Sequence, residues 1–294
     1  LLERLVQDKF KVYVSVPEDE FTEELKAIGT NVIYNQYLDR RGTNPVQDLR
    51  LLNYYKAMVK RIKPDVVLTY TIKPNVYGGY VCGRLGIPYI ANVTGLGTSI
   101  ENGGMTQRII LMLYKKGLKK AQKVFFQNEA NRDFMVGRGI VKKDKIDLLP
   151  GSGVNTDQHC YESYPDDSKK IIFTTIGRIM KDKGIDELLE AAEVIKDRYP
   201  NTEFRLVGDF DEGYENQIEE LEMKGIVRYL GFQKDVHPFI TESHAIIHAS
   251  YHEGMSNILQ EAASTGRPVI ATDVHGCIET YDDGVSGISF KAKD

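Results

Sequence analysis

Along the 294 residues, short runs rich in β-branched and aromatic residues alternate with longer stretches in which apolar positions recur at helical spacing. In the first half the short runs predict strands at 11–16, 31–34, 66–70, 89–93, 123–127 and 145–149, and the longer ones predict helices at 45–61, 105–120 and 129–137. Residues 150–169 (PGSGVNTDQHCYESYPDDSK) break the pattern with Pro, Gly, Ser and Asp, as a linker does. The alternation then restarts, with strands expected at 171–176, 203–207, 227–230, 245–248, 269–271 and 287–290, and helices at 183–198, at 214–224 and from about 258.

Strands that alternate with helices pair in parallel, because a parallel neighbour is reached by a crossover and not by a hairpin. The pattern therefore predicts two α/β domains of the doubly wound, Rossmann-like kind: residues 1–150, a linker at 151–169, and residues 170–294. Such a pair is expected to face each other across a cleft. In open α/β sheets ligands sit beyond the carboxyl ends of the strands, so the loops that follow the strands are where chemistry is sought. Residues 1–10 read as the first helix of a domain whose first strand is absent, and the chain stops just after its last strand, so both ends are expected to be cropped.

Composition narrows the class. With 41% hydrophobic and 27% charged residues the chain is core-forming and not disordered. Its three cysteines, Cys82, Cys160 and Cys277, are odd in number and too far apart for a metal knuckle, which fits a reducing cytoplasm. No apolar run approaches the roughly 18 residues of a membrane span. The net charge of −4 conceals an asymmetry: residues 1–150 hold 24 Lys and Arg against 15 Asp and Glu, and residues 151–294 hold 14 against 27. The basic half can meet an anionic surface; the alternative is chance variation on two solvated faces.

Two segments carry candidate chemistry. In residues 250–261 (SYHEGMSNILQE) a strand runs into a Gly-containing loop and then a helix, for which Ser256 or Asn257 is the expected cap. A helix start offers free N–H groups and a partial positive charge to a diphosphate. Glu261, about one turn in, can accept two hydrogen bonds from vicinal hydroxyls; the plain alternative is a capped helix. In residues 174–184 (TTIGRIMKDKG) a strand ends through Gly177, and Arg178 and Lys183 stand where both can converge on one anion.

Residues 177–192 (GRIMKDKGIDELLEAA), followed by 253–276 (EGMSNILQEAASTGRPVIATDVHG), resemble the retaining glycosyltransferases of family 4, which have the GT-B fold. Their signature is a Glu, seven residues and a second Glu, here Glu253 and Glu261. Residues 69–79 (TYTIKPNVYGG) and 92–104 (NVTGLGTSIENGG) resemble the branch that builds bacterial capsular and surface polysaccharides and lipid-linked oligosaccharides. The loop Thr94-Gly95-Leu96-Gly97 lacks the His that many relatives outside that branch carry, which removes the basis for a His-assisted role there.

The resemblance implies a metal-independent transferase that moves a hexose or N-acetylhexosamine from a nucleotide-diphosphate sugar, with UDP the expected carrier, to a lipid-linked or polysaccharide acceptor. Position by position it implies that Arg178 and Lys183 neutralise the diphosphate, that Glu253 holds a donor-sugar hydroxyl and Glu261 the ribose, and that N–H groups of Gly254, Met255, Ser256, Asn257 and Ile258 hold diphosphate and sugar. Gly177 belongs to the same wall, and Gln233 to Val236 match the stretch that meets the base. Lys73, Thr94 and Gly95 are the acceptor-side candidates. No metal and no cofactor are expected. A sugar-nucleotide epimerase and a non-catalytic nucleotide-sugar-binding module are the alternatives.

Other patterns lead away from function. Asp209-Phe210-Asp211 spells a D-x-D, but it follows a strand where the family has a Gly-Asp turn, so metal binding is not expected there. The six histidines, 159, 237, 244, 248, 252 and 275, show no ligand spacing and are read as structural. Gly95-Leu96-Gly97 lacks the third Gly of a dinucleotide fingerprint. No nucleic-acid partner is expected. In residues 105–123 Ile109, Ile110, Leu113 and Leu118 lie among Lys115, Lys116, Lys119 and Lys120, which reads either as an ordinary buried helix with a charged tail or as a basic amphipathic helix on anionic lipid. The protein is expected in the cytoplasm, and on the second reading it is peripheral on the inner face of the plasma membrane.

Overall fold

A computed structural model of the chain describes residues 1–19, 21–39, 44–97, 100, 103–166 and 170–294. Of the stretch 92–104, residues 98, 99, 101 and 102 lie outside the described residues, as do 167–169 of the linker. The chain packs as two units, residues 1–92 with 113–123, and residues 93–112 with 124–294.

The first unit contains α1 (Leu2–Gln7), β1 (Tyr13–Val16), α2 (Thr22–Ala27), β2 (Asn31–Tyr34), α3 (Pro45–Ile62), β3 (Val67–Tyr70), a π-helical turn Pro74–Gly78 and α4 (Gly79–Leu85). In it β1 pairs with β2 and β3 (Val67–Tyr70) with β4 (Tyr89–Val93), both in parallel. The sequence dictates α3 at both ends: the Asn44 side chain accepts from the Val46 N–H at 2.9 Å, Pro45 occupies the first turn, and Lys63 ends the helix in the left-handed region. Leu51, Tyr55 and Val59, four apart, form its buried face.

A largely buried neutral network ties β3 to the turn that follows it. Thr69 Oγ1 donates to Asn75 Oδ1 at 2.6 Å, and Asn75 Nδ2 donates to the Asn92 carbonyl at 2.8 Å. The π-helical turn and α4 are not among the elements that the strand-and-helix pattern predicts. They form where Gly79 and Gly117 let backbone come close: a Cβ on Gly117 would stand 2.7 Å from the Val76 Cα.

The helix α5 (Gly104–Leu118) leads to β5 (Lys123–Phe126), α6 (Glu129–Gly137) and β6 (Ile146–Leu148), with β5 parallel to β6. In the rest of the second unit come β7 (Ile171–Ile176), α7 (Ile185–Arg198), β8 (Thr202–Val207), α8 (Glu215–Met223), β9 (Val227–Tyr229), α9 (His237–Thr241), β10 (Ala245–His248), α10 (Asn257–Thr265), β11 (Val269–Thr272) and β12 (Gly287–Phe290). Six of these strands make one all-parallel sheet in the order β12-β11-β10-β7-β8-β9.

Burial on both faces is why Ala245, Ile246 and Ile247 of β10 read as an apolar run and not as an alternation. One face is packed by Ile185, Leu188, Leu189 and Ala192 of α7 with Ile218 and Leu221 of α8, the other by Ile240, Leu259 and Ala262. Chain order reverses between β7 and β10, which are neighbours with Ala245 opposite Phe173. That switch point leaves a crevice at the carboxyl ends of these two strands, since the connections leave them to opposite sides. Among the described residues, no helix is long and apolar enough to cross a membrane.

Candidate functional site

Both sequence segments singled out for chemistry flank this switch point. After β7 the chain passes Gly177 and Arg178, makes a 3-10 turn at Lys181–Lys183 and enters α7 through Gly184. Gly184 is held at φ 68°, and a Cβ there would collide with Ala249 at the end of β10, so the turn can press against the neighbouring strand only with glycine. The contact is locked by the Tyr251 N–H donating to the Asp182 carbonyl at 2.9 Å. After β10 the loop runs from Ala249 to Ser256 and enters α10.

These two turns bring Lys183 onto Glu253. The ammonium pairs with Glu253 Oε1, and His248 Nε2 stands 2.9 Å from the same oxygen. An ionised carboxylate only accepts, so the His248 proton lies on Nε2. Burial works against the charged form of Glu253, but the hydrogen bond from His248 and the charge of Lys183 outweigh it and hold the carboxyl well below its usual range. The side chains of Lys183 and Glu253 are 22% and 16% exposed, so the pair is screened from bulk water yet open on one side.

Ser256 caps α10 by position only. Its hydroxyl makes no cap hydrogen bond and lies 3.3 Å from His248 Nε2, while its own N–H donates to the Gly276 carbonyl at 2.8 Å. The first turn of α10 is therefore not closed by its own cap, and its N–H groups make up the partial positive end of the helix. Of the expected N–H donors from Gly254 to Ile258, that of Ser256 is taken by Gly276.

Glycine is dictated at 254 by close approach: a Cβ there would run into the Thr94 carbonyl and Gln127 Oε1. Asn128 fastens the same turn, its Nδ2 donating to the Gly254 carbonyl at 2.7 Å while its Oδ1 accepts from Asn131 N–H at the start of α6. Thr94 and Gly95 thus lie against Gly254, and a Cβ on Gly95 would be 3.6 Å from the Gly254 nitrogen.

The remaining candidates are placed as follows. Arg178 Nη1 pairs with Asp211 Oδ2 at 2.5 Å and is more than half exposed, so Arg178 and Lys183 do not share a partner here. This pair also uses one carboxylate of the D-x-D, whose middle residue Phe210 bridges to Ile179. Glu261, on α10, is half-buried with no side-chain hydrogen bond among the described residues, and burial pushes its carboxyl up. Gln233 is folded back on the Leu230 carbonyl at 2.7 Å, and Val236 precedes α9. Met255 lies within 3 Å of where a Gly151 Cβ would be. In the first unit Lys73 forms an ion pair with Asp48 at 2.8 Å.

Sequence reasoning missed His248, Asn128 and Gly276. His248 was read as structural with the other histidines; instead it touches the signature glutamate. The signal available was its place, last in a buried strand and five residues before Glu253. Asn128 and Gly276 hold the turn from distant segments and left no local signal. Buried Cys82 and Cys277 are pushed up to about 11 and about 12, the first by burial, the second by burial and then by the charge of Glu253, so both stay thiols.

Residues 161–294 match the family described as glycosyl transferases group 1, and residues 1–128 match glycosyl transferase 4-like. The chain is 29% identical, over its full length and 81% of the relative, to the N,N'-diacetylbacillosaminyl-diphospho-undecaprenol alpha-1,3-N-acetylgalactosaminyltransferase of Campylobacter jejuni. It is 25% identical, over 80% of its length and 65% of the relative, to the UDP-Gal:alpha-D-GlcNAc-diphosphoundecaprenol alpha-1,3-galactosyltransferase of Escherichia coli. Among solved structures, Anabaena Alr3699/HepE in complex with UDP and glucose superposes with a TM-score of 0.75 at 19% identity, covering 99% of this chain and 82% of that one. The chain belongs to the glycosyltransferases of GT-B fold, with a glycosyl transferase 4-like half followed by a group 1 half.

Proposed function

We propose that this glycosyltransferase moves a hexosyl or N-acetylhexosaminyl group from a UDP-sugar to a lipid-diphosphate-linked sugar in bacterial surface glycan synthesis, with retention of configuration and without a metal. The observation that carries the reading is the Lys183–Glu253–His248 cluster at the switch point, beside the uncapped start of α10.

Departure of the sugar leaves negative charge on the β-phosphate, and fixed positive groups stabilise that charge as it develops. Lys183 has three donors and can serve the phosphate while keeping Glu253. Arg178 exchanges Asp211 for the diphosphate, and the N–H groups of Gly254, Met255, Asn257 and Ile258 complete the cradle. Glu253, ionised and fixed by His248, accepts from a sugar hydroxyl. Glu261 accepts from the ribose diol, and Gln233 to Val236 border the base. In the transfer, the bond from the anomeric carbon to the diphosphate oxygen breaks as the acceptor oxygen bonds to the same face. The acceptor proton passes to the departing phosphate oxygen. Lys73, Thr94 and Gly95 are assigned to the acceptor side.

The named substrates of the Campylobacter and Escherichia relatives support a lipid-diphosphate acceptor, and the α products in their names fit retention. The HepE complex supports UDP. The helix α5 supports action at an anionic membrane surface on the cytoplasmic side: Met105, Ile109 and Met112 are exposed along it, and Lys115, Lys116 and Lys119 lie exposed at and just beyond its end. Lys120 contributes less, because its ammonium donates to the Gly83 carbonyl at 2.8 Å.

The test is incubation of the protein with UDP-, GDP- and ADP-sugars, with and without polyprenyl-diphosphate sugar and with EDTA present, read by mass spectrometry. The expected result is a UDP-sugar consumed only with acceptor, a glycosylated lipid formed, and persistence in EDTA. Donor isomerised without acceptor, or bound without turnover, overturns the proposal in favour of an epimerase or a binding module.

A further inference from the structure

Outside the donor cluster, three side chains of metal-ligating chemistry converge from two segments of the second unit. Cys160 and Glu162 lie on the strap that precedes β7, and His237 opens α9. One ligand atom from each lies within 4.8 Å of the other two. Cys160 Sγ is 3.6 Å from Glu162 Oε1, and His237 Nε2 is 3.9 Å from that same oxygen. From the usual zinc–ligand lengths, the edges of a tetrahedral site are about 3.6 Å between sulfur and oxygen and about 3.4 Å between nitrogen and oxygen. The first separation already has that length, and the second needs to close by a few tenths of an ångström.

The surroundings are built to hold these groups. The strap is stitched down by Arg267, whose Nη1 donates to the Glu162 carbonyl and Nη2 to the Ser163 carbonyl, each at 2.9 Å, and by the Glu162 N–H donating to the Thr265 carbonyl at 3.2 Å. The His237 N–H donates to Asp235 Oδ1 at 3.0 Å, which fixes the start of α9. The His237 ring packs edge-on against His159, with centroids 5.3 Å apart, and His159 is only 6% exposed. The rings therefore cannot swing freely. Cys160 is exposed, so the site is reachable from solvent.

We propose that Cys160, Glu162 and His237 bind one zinc ion, with water as the fourth ligand, clamping the strap 160–162 onto the first turn of α9. A thiolate and a carboxylate offset the charge of Zn²⁺, the imidazole is neutral, and this soft and borderline donor set selects zinc over Mg²⁺ or Ca²⁺. Binding displaces the Cys160 thiol proton to solvent. The clamp shares no residue with the Lys183–Glu253 cluster and takes no part in the transfer proposed above.

The test uses the whole chain, stripped with chelator and then given zinc sulfate, desalted and analysed for metal by mass spectrometry, with cobalt chloride as a spectroscopic substitute. The expected result is one zinc per chain retained in excess Mg²⁺, a higher unfolding temperature with zinc than without, and a thiolate-to-cobalt charge-transfer band. Cys160→Ser and His237→Asn should each weaken zinc by more than the about 10- to 100-fold that losing a hydrogen-bond partner of a ligand costs. No retained zinc in the unaltered chain, equal zinc in either variant, or a cobalt spectrum without the thiolate band overturns the proposal. Cys160→Ser removes an exposed thiol, so the variant separates lost binding from lost folding.

Discussion

Two polar clusters in this chain sit at the carboxyl ends of parallel strands, yet they are built for opposite purposes. In the first unit Thr69, Asn75 and the Asn92 carbonyl form a neutral network, with Asn75 fully buried and its amide used at both ends. In the second, Lys183, Glu253 and His248 place charges at a switch point, partly open to solvent and next to a helix start without its cap bond. A buried amide that spends its donors and acceptors on the protein orders backbone and has nothing left to offer a ligand. Charged groups with spare bonding capacity, held partly open, can still serve a ligand, and such groups collect where chemistry needs them.

The comparison can be broken most directly by exchanging charge for neutrality in the second cluster. Glu253→Gln should lower kcat by roughly 10²–10³-fold, the range for loss of one preorganised electrostatic contact, while circular dichroism stays unchanged. Normal turnover in that variant would mean the cluster is as structural as Asn75.

Next in size is Gly254→Ala. Its methyl has no space beside the Thr94 carbonyl and Gln127, so we expect a loss of about 1–3 kcal/mol in urea unfolding together with weakened donor binding. Asn75→Ala should cost a similar about 1–3 kcal/mol by leaving buried partners unpaired, but turnover per folded molecule should not change. A loss of turnover at full folding would place the first network in the chemistry.

The pH dependence sharpens the contrast further. Glu253 ionises below its unfolded value, so its contribution to stability is complete above about pH 4.3 and is lost as pH falls from there toward the folded value. The stability difference between the unaltered chain and Glu253→Gln, followed by urea unfolding from pH 7 to 3, should shrink on the acid side. Glu261 has the opposite sign. Burial raises its folded value, so the charged form destabilises the free protein and the penalty grows as pH rises through the unfolded value and levels off above the folded one. Glu261→Gln should therefore raise the unfolding temperature at pH 7 slightly while weakening UDP-sugar binding, and a variant that is less stable would show that Glu261 has a partner in the free fold.

Much of the frame was legible before any coordinates. Strands 31–34, 89–93, 171–176, 245–248 and 287–290 and helix 129–137 stand where periodicity put them, and α10 starts at the expected Ser256 boundary. Those segments succeed because a short run of β-branched and aromatic residues and a helix with one apolar face each leave a local record. Residues 22–27, 74–85 and 237–241 left none: two of these helices are shorter than two turns, and the third depends on glycine contacts with Gly117.

For the site, the sequence by itself determined which groups exist and on which strand ends they stand, because Gly177 to Gly184 and Glu253 to Glu261 are continuous pieces of chain. Only the tertiary structure decided which groups meet. Lys183 goes to Glu253 and Arg178 to Asp211, His248 joins the glutamate, Asn128 fastens Gly254, and Cys160 meets His237. Apart from His248 and Glu253, which share the end of β10, those contacts join groups from different strand ends or loops, and their distances follow from sheet order and backbone approach, which no local spacing encodes.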